Sequence, residues 1–279
     1  MRNLRARYTR DRLILIVVIV GTILAALPLT LVLGYALVNG FTSLNWDFFT
    51  KAPKPPGELG GGMAPAIVGT LIITGVGLLM ATPFGIGAGI LLAEYPDNRL
   101  NPTLRLLSDT LNGMPAILKG LLAYVLVVKA QGSFSGFSGS LAMAFIMIPI
   151  IAKTTESVLK LVPWNIREAG LALGLPRWRV ILSLVLPAAR AGVVTGLLLA
   201  TARAAGEAAP LIFTAFGNSL LTYNLSQPMD ALPLRLYAYA ISPYEDWHRQ
   251  AWAAAVVLLG LIVLTSLLAR WVTRGRQGS

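Results

Sequence analysis

Residues 13–38 read L-I-L-I-V-V-I-V-G-T-I-L-A-A-L-P-L-T-L-V-L-G-Y-A-L-V, an apolar run without a charge, behind a start carrying Arg2, Arg5, Arg7, Arg10 and Arg12. A helix needs about 20 such residues to cross a bilayer, whereas the apolar core of a secretory leader is only roughly 7–15 long. The run therefore predicts an uncleaved first membrane span. The whole chain agrees with it. Of 279 residues, 56% are hydrophobic and 13% charged, and mean hydropathy is +0.70, where an average soluble chain has about 25% charged residues. Further apolar runs at 66–93, 104–128, 140–157, 191–216 and 251–271 are each long enough to cross. The expected fold is all-α: one transmembrane domain over 13–271 with six spans, a basic tail at 1–12 and a second tail at 272–279.

Counting basic residues by side orients these spans. With the N-terminus inside, 16 of the 23 Lys and Arg residues fall on the cytoplasmic side, five fall outside, and Lys119 and Arg203 lie within spans. That excess predicts cytoplasmic N- and C-termini. The net charge of +11 then reports contact with a bilayer and not with nucleic acid. Several chemistries drop out as well. Without cysteine, and with His248 as the one histidine, the chain has no thiol chemistry and no His/Cys metal cluster. Gly69, Gly75, Gly77, Gly85, Gly87 and Gly89 around Pro83 have the wrong spacing for a dinucleotide loop and no preceding strand, so they predict close helix packing. Lys153-Thr154 lacks the glycines of a phosphate-binding loop, and no ATP site of that kind is present. A hydrolase built on Glu207 or Asp109 would lack a nucleophile and base constellation. A carrier driven by an ion gradient commonly shows internal repeats, and none is visible.

The longest stretch between spans on the cytoplasmic side, 158–190, contains V-P-W-N-I-R-E-A-G-L-A-L-G-L-P-R-W-R-V-I-L-S-L-V-L-P from Val162 to Pro187. Pro163 suits a first helical turn, Gly174 a helix C-terminus and Pro176 a new start, so two short helices joined at Gly174-Leu175 are predicted. Ala169, Gly170 and Gly174 would give the first a small-residue surface able to seat in a groove of another protein. Trp164, Trp178, Arg177 and Arg179 would equally suit a helix lying on the inner leaflet.

The fifth run carries Arg203 thirteen residues in, about 20 Å along a helix, with Glu207 one turn later. An ion inside a membrane costs roughly 2.5–3.5 kcal/mol at a helix centre. Either the two neutralise each other in a salt bridge, or they serve a charged cargo. A purely structural pair is the costlier design, because desolvation often exceeds the gain. Gly192, Gly196 and Ala200 at four-residue spacing place the pair on a packed face. Lys119 either adds positive potential to the same path or pairs with Asp109 or snorkels outward.

Glu168-Ala169-Gly170, Gly174 and Leu184-Val185-Leu186-Pro187 together resemble the EAA loop of permease subunits of bacterial ABC importers, with Gly170 in place of the second alanine and Leu184 in place of isoleucine. Gly61–Thr70, Gly113–Leu121 and above all A-R-A-A-G-E-A-A-P-L-I-F-T from Ala202 to Thr214 are similar to segments of PstA-type permeases of phosphate importers. The resemblance implies the type I importer architecture and a coupling loop at Glu168, Ala169, Gly170, Gly174, Leu186 and Pro187. It also implies a PstC-like second permease, two ATPase subunits that use ATP and magnesium, and a periplasmic phosphate-binding protein. The chain itself would bind no cofactor and catalyse nothing. Arg203, Glu207 and Lys119 would line the path of phosphate, with sulfate or molybdate as the alternative cargo.

Overall fold

The computed structural model describes residues 2–274. Helix α1 (Arg2–Phe41) absorbs the described part of the expected basic tail, and the last helix runs to Arg274; residues 1 and 275–279 of the expected tails lie outside the described residues. Between them come α2 (Trp46–Thr50), α3 (Ala64–Glu94), α4 (Asn101–Gly113), α5 (Ala116–Gln131), α6 (Gly136–Lys160), α7 (Trp164–Ala172), α8 (Arg177–Ala205), α9 (Ala209–Ile212), α10 (Leu232–Ala240) and α11 (Glu245–Arg274). Stretches α1, α3, α6, α8 and α11 contain are long and apolar enough to cross a membrane, and the bent pair α4–α5 makes a sixth.

Three expected spans are redrawn. The run 104–128 is broken, because α4 and α5 meet at 113° across Met114-Pro115. Proline offers no N–H and forces the preceding residue out of the helical region, and Met114 is extended at φ −70°, ψ 131°. The fifth run is not one helix over 191–216: α8 begins at Arg177, passes a π turn at Ile181–Val185, and stops at Ala205. The second short helix expected after Gly174 is therefore the start of this span. The sixth begins earlier than 251, at Glu245.

Helix α6 is the centre of the bundle, two-thirds of its apolar window being buried. Lipid tails are as apolar as leucine, so apolar helices associate through close packing, and α6 is clasped by two glycine faces. On α3, a Cβ at Gly77 would stand 2.9 Å from Ser140 O, one at Gly85 2.7 Å from Ile151 Cβ, and one at Gly89 2.5 Å from Thr155 Cβ. From α8, Gly192 sits on Val158, and a Cβ at Gly196 would stand 2.6 Å from Thr154 Cγ2. Gly75 and Gly87 point into open space, so only part of the glycine-rich run serves this interface. Around it lie Ile73, Ala81, Met143, Met147, Ile151, Ala200 and Ala204, all buried.

Helix α1 is the opposite case. Its apolar side chains from Leu13 to Val38 are largely exposed, and it meets α11 only near its end, where Gly40 lies against Trp252 and Tyr35 packs edge-on to the Trp252 ring at 4.9 Å.

The segment after α9 closes one end of the bundle. Gly136 N–H donates to Gln227 O at 2.8 Å, Phe137 N–H to Leu225 O at 2.9 Å, and Ser138 N–H to Ser135 Oγ at 3.1 Å. These are N–H groups that a helix start leaves without partners. The segment is held in turn by Asp230. Its carboxylate accepts from Arg235 Nε at 2.6 Å and from Ala231 N–H at 2.9 Å, while Leu232 N–H donates to Thr70 Oγ1 of α3 at 2.7 Å. Burial pushes the Asp230 carboxyl above the ordinary carboxylate range, against the pull of the Arg235 guanidinium.

Substitution should separate the two classes of glycine. Gly85→Ile drives a side chain into Ile151 and is expected to cost about 1–3 kcal/mol by overpacking, whereas Gly87→Ala should stay within about 0.5 kcal/mol of wild type or gain slightly. Thermal unfolding of the two variants in one detergent compares them directly.

Candidate functional site: a charge cluster and a clamped loop

The intramembrane charges are arranged differently from what spacing suggests. The four-residue stripe Gly192, Gly196, Ala200 continues to the buried Ala204, while Arg203 stands on the exposed flank beside it. The charge is thus not on the packed face. Nor does Glu207 follow on the same helix. Gly206 caps α8, and Glu207 lies in the turn beyond, its N–H donating to Ala204 O at 3.0 Å. Among the described residues no salt bridge joins Arg203 to Glu207.

Lys119 completes the group. It lies on α5, where the backbone at Gly120 packs so tightly on Pro210 of α9 that a Cβ would stand 2.5 Å from Pro210 Cα. That contact brings the first turn of α5 to the chain just after Glu207. Lys119 is 4% exposed, so it does not snorkel, and Arg203 and Glu207 are charged groups near enough to act on it. Asp109 is not its partner, being 2.7 Å from Lys153 instead. Buried Lys119, half-buried Glu207 and flank-exposed Arg203 thus come near one another from three separate elements, and among the described residues they form no contact pairs. A net positive charge there favours an anion.

At the other end of α8 the loop is folded tightly. Helix α7 ends in a Schellman motif: Leu175 N–H donates to Gly170 O at 3.3 Å and Gly174 N–H to Leu171 O at 2.9 Å, with Gly174 at φ +78°. Gly170 is turned inward, where a Cβ would stand 2.7 Å from Leu184 Cδ1 and 2.9 Å from Val180 Cγ2. It therefore serves the loop's own packing and not an outer groove-seating surface, and Leu184 is its seat. Glu168, Ala169 and Pro187 are exposed, Leu186 is half-buried, and Trp164, Leu171, Leu173 and Trp178 present a bare apolar surface, Leu173 at 80% exposure.

What holds the loop in place was not signalled by any motif. Arg167 and Glu94, 7% and 4% exposed, form a forked pair: Nε to Oε2 at 3.0 Å and Nη2 to Oε1 at 2.5 Å. The remaining donors of Arg167 reach Val162 O at 2.8 Å and Leu159 O at 2.9 Å, at the end of α6. Arg177 donates to Glu94 O and lies 4.6 Å over the Tyr95 ring. A lone glutamate closing an apolar run and an arginine one residue before Glu168 were the available traces. Beside them, Arg105 and Lys160 each reach Glu156 at 2.7 Å, fastening α4 to α6.

Residues 85–277 match the family described as binding-protein-dependent transport system inner membrane component. The chain belongs to this family. The permease is 39% identical over 272 residues to the phosphate transport system permease protein PstA of Haemophilus influenzae, covering 96% of each chain. It is 35% identical to the probable phosphate transport system permease protein PstA of Methanocaldococcus jannaschii, over 91% of this chain and 90% of the relative. In fold it is similar to a chain of the inward-facing MetNI methionine ABC transporter, with TM-score 0.65 and 19% identity over 76% of this chain and 94% of that one. It also resembles a chain of a bacterial alginate ABC transporter, with TM-score 0.64 and 13% identity over 95% and 96%. The permease is thus a multi-pass inner-membrane protein of the ABC importer permease fold.

The left-handed Gly174 tests the loop geometry independently of any partner. Gly174→Ala should destabilise the α7–α8 corner by about 1–2 kcal/mol, read as faster hydrogen exchange at Gly170 to Leu175 with the α3–α6 amides unchanged.

Proposed function

We propose that the permease forms half of the pore of an ATP-driven importer of inorganic phosphate. The observation that carries this is the group of buried Lys119, half-buried Glu207 and flank-exposed Arg203, unpaired among the described residues, in a chain so similar to phosphate permeases. Both termini and the α7 loop face the cytoplasm. A PstC-like permease completes the pore on the side where Arg203 is exposed, two ATPase subunits dock on the loop through Glu168, Ala169 and the apolar surface of Leu171, Leu173 and Trp178, and a periplasmic binding protein delivers phosphate. ATP and magnesium are used by those partners. The permease alternates between states open to either side and makes or breaks no covalent bond.

The chemistry of the cluster suits this cargo. A guanidinium forks onto two phosphate oxygens, and an ammonium supplies a point charge. Together they replace hydration that the anion loses. At pH 7 inorganic phosphate is a mixture of mono- and dianion, both of which carry a P–OH, and that P–OH can donate to the Glu207 carboxylate. Sulfate has no proton to give, so Glu207 selects between the two.

Proteoliposomes holding the full complex test each role. Arg203→Gln should lower ATP-driven uptake of labelled phosphate by at least about tenfold, which corresponds to roughly 1.4 kcal/mol, with assembly intact. Undiminished uptake would remove Arg203 from the path. Glu207→Gln should raise sulfate uptake relative to phosphate; an unchanged ratio would place selection elsewhere. Leu173→Asp should leave the fold intact and abolish co-purification of the ATPase subunits.

A further inference from the structure

The loop and the charge cluster stand at opposite ends of one helix. Arg177 and Arg203 are separated along α8 by about 40 Å, at about 1.5 Å per residue. At the loop end, the Arg167–Glu94 fork, the capping of α6 carbonyls by Arg167 and the capping of α3 by Arg177 tie four elements together. Along their length α3, α6 and α8 are seated on one another through glycine faces that leave no room to slide. The rest of the cluster is held by other contacts: Gly120 of α5 rests on Pro210 of α9, and Ser135 N–H and Ser138 Oγ at the start of α6 donate to Thr214 O just after α9. Among the described residues no hydrogen bond or ion pair ties α5 to α6, α5 is reached through the 113° bend, and Glu207 lies beyond the break at Gly206.

We propose that Glu94, Arg167 and Arg177 are positioning residues that join the loop helix to α3, α6 and α8 as one lever. Force applied at α7 is then carried along α8 to Arg203 and changes its separation from Lys119 on the bent-off α5, strengthening or releasing the anion site. The inference rests on the loop as the ATPase docking element and on Arg203 as a pathway residue. A fork of two bonds with further donors on two carbonyls resists rotation as well as separation, which a lysine in place of Arg167 cannot reproduce.

The test uses the full complex in proteoliposomes and reads phosphate taken up per ATP hydrolysed. Glu94→Gln and Arg167→Lys should each lower this ratio by at least about fivefold, the lower range of coupling between sites, while the ATPase subunits still co-purify. A wild-type ratio in either assembled variant overturns the proposal. A second measurement needs neither variant. Because the chain has no cysteine, Asp97→Cys near the end of α3 and Asn165→Cys on α7 can be labelled as a pair in the otherwise wild-type complex. Their separation should hold within about 2 Å through the nucleotide cycle, the scale of small helix shifts; a larger change means that the loop moves independently of α3, and the lever is wrong. Failure of the docking reading is distinguishable. It shows as ATPase subunits that remain bound to Leu173→Asp, irrespective of the coupling ratio of the clamp variants.

Discussion

The close seat of α6 between two glycine faces is the constraint on which the rest of the permease depends. Hydrocarbon offers no driving force for apolar helices to leave lipid, so contact must come from backbones brought near enough for dispersion to act over their whole length. Gly77, Gly85 and Gly89 on α3 and Gly192 and Gly196 on α8 provide that approach. Once the three helices are fixed, α8 can carry its two ends to defined places. The elements around them need far fewer contacts. Helix α1 touches the bundle near its end alone, and its exposed leucines and valines are at no disadvantage in a hydrocarbon solvent.

Against that background the charges sort by whether they are satisfied. Glu94 with Arg167, and Asp230 with Arg235, are buried carboxylates whose arginines stand in contact. Removing one member of such a pair leaves an uncompensated buried ion, which costs about 3–5 kcal/mol. They hold structure: one pins the loop, the other the segment that covers the start of α6. Lys119 and Arg203 have no such contact partner among the described residues, although Lys119 is as buried as Glu94. As proposed above, the charge that compensates Lys119 arrives with the anionic cargo.

The loop shows how a motif divides its residues between two tasks. Gly170 permits the loop to fold onto Val180 and Leu184, and Gly174 supplies the left-handed turn. These two glycines build the corner, and the residues between and around them, Glu168, Ala169, Leu171 and Leu173, remain exposed. A glycine in such a motif therefore does not by itself mark an outward-facing surface.

Sequence alone determined the class of the molecule, because the bilayer imposes one crude requirement, length and apolarity, that can be counted residue by residue. The apolar run 13–38, the glycine-lined packing of the second span, the glycine turn at Gly174 and the candidacy of Lys119, Arg203 and Glu207 all follow from local composition and spacing. Tertiary structure decided where helices stop and what charges meet. The extended Met114 before Pro115 broke one span and Gly206 ended another, since an apolar window does not register one or two residues whose backbone leaves the helix. Lys119 reached Arg203 and Glu207 only through the Gly120–Pro210 contact between α5 and α9, and Glu94 found Arg167 across 73 residues of chain. Partners so far apart in sequence leave no periodic trace, because their distance is set by how helices pack and not by the order in which they are written.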